Sequence, residues 1–300
     1  MAKKIIKSNH NKVSLREFLV IGRPFWWVNT AVPFVVSYFI IGGQTDWLLY
    51  FGIFYFAFVY NVAMYGINDI YDYESDIKNP RKTGIDGSVL PKAKHSDLWL
   101  KISIISIPAT IAMFWAGNLA ANVWLAVMIF MVLAYSVKGL RFKEIPVLDS
   151  ITSSFHYTSP FIYGGLLASN IDLHVPAFMV FFVWVMANHA FGAIQDIAPD
   201  KAAGISSIAT KLGSELTISF VLAAYIVAMI LPVMFYGTNA LIVSLGLLPY
   251  ALIVLRTIPE RANSNSVLFK QGWNRFLYIN YIVGFVGTIL LLIHFNVVVL

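Results

Sequence analysis

The sequence predicts an all-α integral membrane protein, a bundle of nine transmembrane helices with two similar four-helix halves. Three observations carry that expectation. Of the 300 residues, 59% are hydrophobic and only 12% charged, with a mean hydropathy of +0.73, far more apolar than a soluble domain of this length needs to be. The apolar residues fall into nine runs, each near the ~20 residues a helix needs to cross a bilayer. When nine spans are threaded alternately through a membrane, all 21 Lys and Arg lie on one side.

Taken in order, residues 1–23 are basic and polar, with a short apolar patch at Phe18 to Ile21. The patch is too short to span and lacks a small-residue cleavage site, so it reads as a cytoplasmic or interfacial segment and not as a signal peptide. The nine runs follow at about 24–43, 47–68, 98–117, 119–137, 150–169, 175–195, 216–236, 239–256 and 273–294. Residues 1–300 therefore read as one membrane domain.

Charge placement supports the count, because cytoplasmic loops carry an excess of Lys and Arg. Basic residues occupy the N-terminal segment and the second, fourth, sixth and eighth loops, while the loops near Gly43, Gly117, Asn170 and Gly237 carry none. The N-terminus is expected in the cytoplasm and the C-terminus outside, in a multi-pass protein of the cell membrane. Of 15 acidic residues only Asp46 and Asp172 fall on the outer side, so the chemistry is expected to face the cytoplasm. Ionisable residues of a transporter would be expected near the midplane. The net charge of +6 reports topology here and does not point to nucleic acid. With no cysteine, neither disulfides nor thiol chemistry is available.

The stretch Asn68-Asp69-Ile70-Tyr71-Asp72-Tyr73-Glu74-Ser75-Asp76 closes the second run. If the helix continues through it, Asn68, Asp72 and Asp76 stack at i, i+4 and i+8 on one face. Like charges so placed repel, so a cation is expected among them. Oxygen ligands without a Cys or His cluster favour Mg²⁺ over Zn²⁺. A second cluster, Gln195-Asp196-Ile197-Ala198-Pro199-Asp200-Lys201, closes the sixth run, and both Asp72 to Asp196 and Asp76 to Asp200 are offset by 124 residues. A duplicated half-bundle explains that match better than two hydrated loops do.

Lys78, Arg81 and Lys82, then Lys138, Arg141 and Lys143, then Lys201 supply a basic set suited to a diphosphate held beside Mg²⁺. Asn188 and Gly192 continue the second ladder inward, and Asn188 is either an interhelical hydrogen bond or a pocket group. His189 and His156 are either bases or bonds to a neighbouring helix. Aromatic residues such as Trp26, Trp27, Tyr55, Tyr65, Tyr157, Phe191 and Tyr281 either line a cavity where π faces steady a cation or pack and anchor the spans.

Asn68-Asp69-x-x-Asp72-x-x-x-Asp76, Asp196-x-x-x-Asp200-x-x-x-Gly204, Arg23-Pro24 ahead of the first span, and Tyr135-Ser136 to Arg141-Phe142-Lys143 with Pro146 and Asp149 resemble the UbiA superfamily of intramembrane prenyltransferases. The resemblance covers nearly the whole chain. It implies a nine-helix fold in which two Asp-rich motifs bind Mg²⁺ and an isoprenyl diphosphate over a central cavity. The allylic diphosphate ionises, an electron-rich acceptor attacks the carbocation, and a proton is lost. On this basis Asp72, Asp76, Asp196 and Asp200 bind metal and diphosphate, with Asn68 and Asp69 completing the first set. Arg23, Lys78, Arg81, Arg141, Lys143 and Lys201 bind the diphosphate.

The second motif departs from the fuller pattern, since Gly192 and Ala193 stand where another Asp is frequent and Gln195 precedes Asp196. Asn188, Gly192, Gln195 and Tyr65 are expected around the acceptor. The runs Tyr65 to Lys82, His189 to Ile197 and Ala203 to Gly213 are similar to the lycopene elongase branch. That branch implies dimethylallyl diphosphate as donor and a linear carotenoid as hydrophobic acceptor, among membrane lipids. An aromatic or quinone precursor such as 4-hydroxybenzoate, a glycerol lipid, or transport of a lipid phosphate are the alternatives. Phosphatidyl transfer is disfavoured because no Asp-Gly-x-x-Ala-Arg stretch occurs.

Overall fold

Each apolar run forms a helix because, without water, a backbone must satisfy its own hydrogen bonds. The computed structural model describes residues 11–77, 89–168 and 175–298, so Lys78, Arg81 and Lys82 lie outside the described residues. Helix α1 (Leu15–Ile21) is started by a capping box in which Ser14 and Glu17 satisfy each other's backbone N–H groups. Its Phe18 and Ile21 enter the core, so this segment is packed into the bundle on one face and not merely laid upon it. Lys94 also holds Glu17 at 2.5 Å, and that ion pair, with the Ser14 N–H, lowers the Glu17 pKa to about 2. The chain then bends by 42° through Arg23 into Pro24–Ile40, which includes α2 (Val28–Ile40).

Helices α3 (Trp47–Phe54) and α4 (Tyr60–Tyr71) form one span around a π-helical turn at Tyr55–Val59. Asn61 donates through Nδ2 to the Phe56 and Ala57 carbonyls, at 2.7 and 3.0 Å, and to Thr30 Oγ1 at 2.7 Å. Its amide thus steadies the altered turn and ties it to α2. A short α5 (Tyr73–Asp76) follows, then α6 (His95–Ala116), α7 (Leu119–Ser136), α8 (Leu148–Leu167) and α9 (Val175–Ile194). The second Asp-rich stretch lies on α10 (Ile197–Ala203), followed by α11 (Ile208–Tyr236), α12 (Leu241–Leu255) and α13 (Val267–His294).

Among the described residues, seven helices are long and apolar enough to cross a membrane, and the bent pair is an eighth candidate. Helix α8 has the length of a span, but Asp149, six Ser or Thr side chains and His156 are buried along it. It packs against α2, α7 and α9. Its polar side chains therefore meet protein and the central cavity, which explains how such a sequence occupies the middle of an apolar bundle. Gly164 permits the tightest approach there, since a Cβ would stand 2.4 Å from the Phe34 carbonyl oxygen of α2.

The apolar core is divided. One cluster runs from Val13 to Leu167 and a second from Ala187 to Phe276. The expected straight ladder is corrected in one respect: α4 ends at Tyr71, and Asp72 bends the chain at φ −95°, ψ 0° before α5. Asp196 bends it in the same way, at φ −93°, ψ −3°, between α9 and α10. Yet the i to i+4 links persist, from Asp72 N to Asn68 O (2.9 Å), Asp76 N to Asp72 O (2.8 Å) and Asp200 N to Asp196 O (2.8 Å). Residues 124 positions apart thus share one backbone geometry.

Candidate active site

The two bends turn α5 and α10 towards each other, and these short helices pack together. Beside them opens a cavity of about 1210 Å³ whose wall includes Asn68, Asp72, Asp76, Asp196 and Asp200. Carboxylates 124 residues apart thereby face one space. Asn68 is fixed by donating from Nδ2 to Ser136 Oγ at 3.2 Å.

Cations come from two loops. Lys143 forms an ion pair with Asp72, while Arg141 stands 3.5 Å from the same carboxylate and also pairs with Glu144. Arg23 holds Asp69 at 2.7 Å and lies over the Tyr65 ring, 4.2 Å from its centroid. Burial opposes the charge on Arg23, but Asp69 and its other neighbours raise the guanidinium pKa above its ordinary value. Both Arg23 and Arg141 have positive φ, at 50° and 41°, each just before a 3₁₀ turn. Such backbone is costly for non-glycine residues and concentrates at functional sites.

The expected residues therefore separate. Asn68, Asp72, Asp76, Asp196, Asp200, Arg23, Lys143, Tyr65, Asn188 and Gly192 share the cavity wall. Asp69 is not on that wall: it is 6% exposed and its carboxylate pairs with Arg23. Arg141 and Gln195 lie off the wall, and Lys201 is exposed on α10. The Gln195 Nε2 is buried without a hydrogen-bond partner. Lys78 and Arg81 are outside the described residues. Of the aromatic candidates, Trp26, Tyr65, Tyr157 and Tyr281 line the cavity, whereas Trp27, Tyr55 and Phe191 pack elsewhere.

Further residues complete the wall. Asn188 accepts from Tyr225 OH at 2.5 Å, so it serves both as an interhelical bond and as a cavity residue. Gly192 makes room for Trp273, whose ring would lie 2.8 Å from a Cβ there. Asp149 accepts from Ile208 N through Oδ2 at 2.9 Å, and its Oδ1 is buried without a partner. Asp149 was legible only as part of a matched loop, and its place on the cavity wall had no local signal.

A membrane bundle with two carboxylate turns and basic loops over one deep apolar cavity is the architecture of an enzyme that handles an anionic lipid precursor. The UbiA prenyltransferase family matches residues 30–280, and the chain belongs to that family. It is thus a UbiA-type prenyltransferase. Among its relatives is a lycopene elongase/hydratase of Corynebacterium glutamicum, 40% identical over 280 residues that cover 93% of this chain and 97% of that protein. Another, of Halobacterium salinarum, is 31% identical and covers 77% of this chain and 89% of its own length. A solved UbiA homolog from Archaeoglobus fulgidus, bound to DMAPP and Mg²⁺, shares the fold with a TM-score of 0.67 at 19% identity. That match covers 89% of this chain and 98% of the solved one.

Proposed function

We propose that this enzyme transfers a dimethylallyl group from dimethylallyl diphosphate to an end of lycopene or a similar linear carotenoid. The observation that carries the reading is the shape of the cavity. It starts at the carboxylates and continues along α13 from Trp273 to His294, ending near the Tyr236 and His294 rings, which stand 5.1 Å apart. At about 1.5 Å per residue that stretch of α13 is roughly 30 Å long, close to the thickness of a bilayer's hydrocarbon core at about 30 Å. A long, stiff polyene suits such a space; a single aromatic ring would leave most of it unfilled. The names of the relatives point to the same acceptor.

Asn68, Asp72, Asp76, Asp196 and Asp200 form an oxygen donor set of the kind Mg²⁺ prefers. Among the described residues no three acidic or histidine side chains stand close enough together to hold a metal, and Asp72 faces Lys143 instead. The donor chemistry fits, and Lys143 occupies the place of the positive charge. When bound, Mg²⁺ would neutralise the diphosphate and make it a better leaving group. Lys143 and Arg23, on the wall, then offer charge-assisted hydrogen bonds to its oxygens as the carbon–oxygen bond breaks. Tyr65 and Tyr157, whose hydroxyls meet at 2.6 Å, border the allylic chain and present π density to its developing charge.

The test offers membranes containing the protein dimethylallyl diphosphate, Mg²⁺ and, in parallel, lycopene or 4-hydroxybenzoate. Prenylation of lycopene is expected; prenylation of the hydroxybenzoate alone would overturn the carotenoid acceptor. Gly284 lines the far cavity, and a Cβ added there meets nothing within 4 Å. Gly284→Trp is therefore expected to fold normally yet lower carotenoid turnover more than tenfold, because about 200 Å² of indole occupies the acceptor's path. Unchanged turnover in this variant would place the acceptor elsewhere.

The carboxylate end is proposed to face the cytoplasm, from the distribution of Lys and Arg. Because the chain has no cysteine, single cysteines can report topology. Ala202→Cys on α10 is expected to resist an impermeant thiol reagent in intact cells, and Thr238→Cys, beyond α11, to react. The reverse pattern would invert the orientation.

A further inference from the structure

Prenylation of a double bond leaves a cation that must lose a proton, and the carboxylates of the two Asp motifs are already engaged with the diphosphate in the proposed reaction. We infer that His189 Nε2 takes that proton, an inference that rests on the proposed transfer to a polyene. His189 is half-buried on the cavity wall, on α9, seven residues inward from Asp196, or about 10 Å along a helix axis. The reacting carbons of a short allylic chain anchored at the Asp motifs extend into this zone.

The surroundings prepare the ring for one role. Nδ1 lies 3.0 Å from Ser150 Oγ, which leaves Nε2, on the other edge of the ring, for the cavity. The tautomer that suits proton acceptance has Nδ1–H donating to Ser150, with the Nε2 lone pair free. Asp149, adjacent to Ser150 in the chain and on the same wall, keeps Oδ1 buried without a partner. Its negative charge compensates the imidazolium that forms. His156 is a different case: Nδ1 meets Tyr60 OH at 3.1 Å, the ring abuts Tyr135, and only 2% of the residue is exposed. It borders the same cavity, but at this burial and against these two rings it braces α8 against α4.

In the step assigned here, the C1 to acceptor bond has formed and the positive charge rests on the adjacent acceptor carbon. A C–H bond next to that carbon breaks, its electron pair closes a new carbon–carbon double bond, and the proton passes to Nε2. The imidazolium then returns the proton to water or to the departing diphosphate. If that C–H proton is not removed, water adds to the cation and the resulting oxonium loses a proton to bulk water, leaving a hydroxyl.

The test compares products of wild type, His189→Phe, His189→Ala and Ser150→Ala with dimethylallyl diphosphate, Mg²⁺ and whichever acceptor the wild type prenylates. His189→Phe is expected to lose roughly 10²-fold in formation of the alkene product, the usual scale of general-base catalysis, with the remaining product shifted towards the alcohol. Diphosphate release should fall much less. Ser150→Ala should shift the product ratio in the same direction by a smaller factor, and added imidazole should restore alkene formation to His189→Ala. An alkene to alcohol ratio unchanged in both His189→Phe and Ser150→Ala overturns the assignment. Absence of any prenylated polyene with wild type would instead overturn the acceptor reading and leave this ratio measurable on another acceptor.

Discussion

Asp72→Ala is expected to lower prenyl transfer by about 10³-fold, the upper range for removal of one preorganised contact to a developing charge. Asp72 sits where the chain bends out of α4, on the cavity wall, and faces both Lys143 and Arg141. Its loss removes a proposed oxygen ligand and the carboxylate paired with Lys143. The comparison that gives this experiment its force is Glu74→Ala, two residues away in the same acidic run. Glu74 is 70% exposed in its side chain and pairs with exposed Lys92, and such solvent-screened surface pairs contribute little to stability. Turnover of Glu74→Ala should stay within about twofold of wild type. Equal activity of both variants would remove the first motif from the catalytic site.

Asp196→Ala should produce a loss within about tenfold of that caused by Asp72→Ala, and the double variant should be far less impaired than the product of the two losses. The reason is geometric. Asp196 repeats the backbone conformation of Asp72, and α10 packs on α5, so the two carboxylates are proposed to act on one bound diphosphate. Residues that act as a unit are non-additive: once one has gone, the other has little left to stabilise. Steady-state assays of the two single variants and the double decide the matter. Losses that multiply would mean two independent sites, and an active Asp196→Ala would confine the chemistry to the first half.

The fold was legible because its information is local. Hydropathy placed most of the long helices within a few residues, including α8, whose Ser, Thr and His content falls short of a simple apolar criterion, but it began α11 and α13 late, at 216 and 273 where the helices start at Ile208 and Val267. The i, i+4 spacing and the common offset located both Asp-rich stretches. The bend at Asp72 was not visible, since the residues on either side are compatible with continued helix; at Asp196 the only local signal was Pro199, which has no N–H to continue the helix. Asp69 illustrates the same limit within the site. In sequence it is one more carboxylate in a cluster of four, whereas in the structure Arg23 claims it.

By itself, the sequence determined the all-helical membrane class, the approximate positions of the long apolar helices and the two acidic motifs, because periodicity, helix length and charge are properties of neighbouring residues. Tertiary structure decided which cation meets which carboxylate, that Asp149 joins the cavity wall, that Lys201 stands outside it, and that the cavity follows α13 across the bundle. Those facts depend on distances between side chains as far apart in the chain as Asp72 and Lys143, or Ser150 and His189. Such distances exist only once the helices have packed.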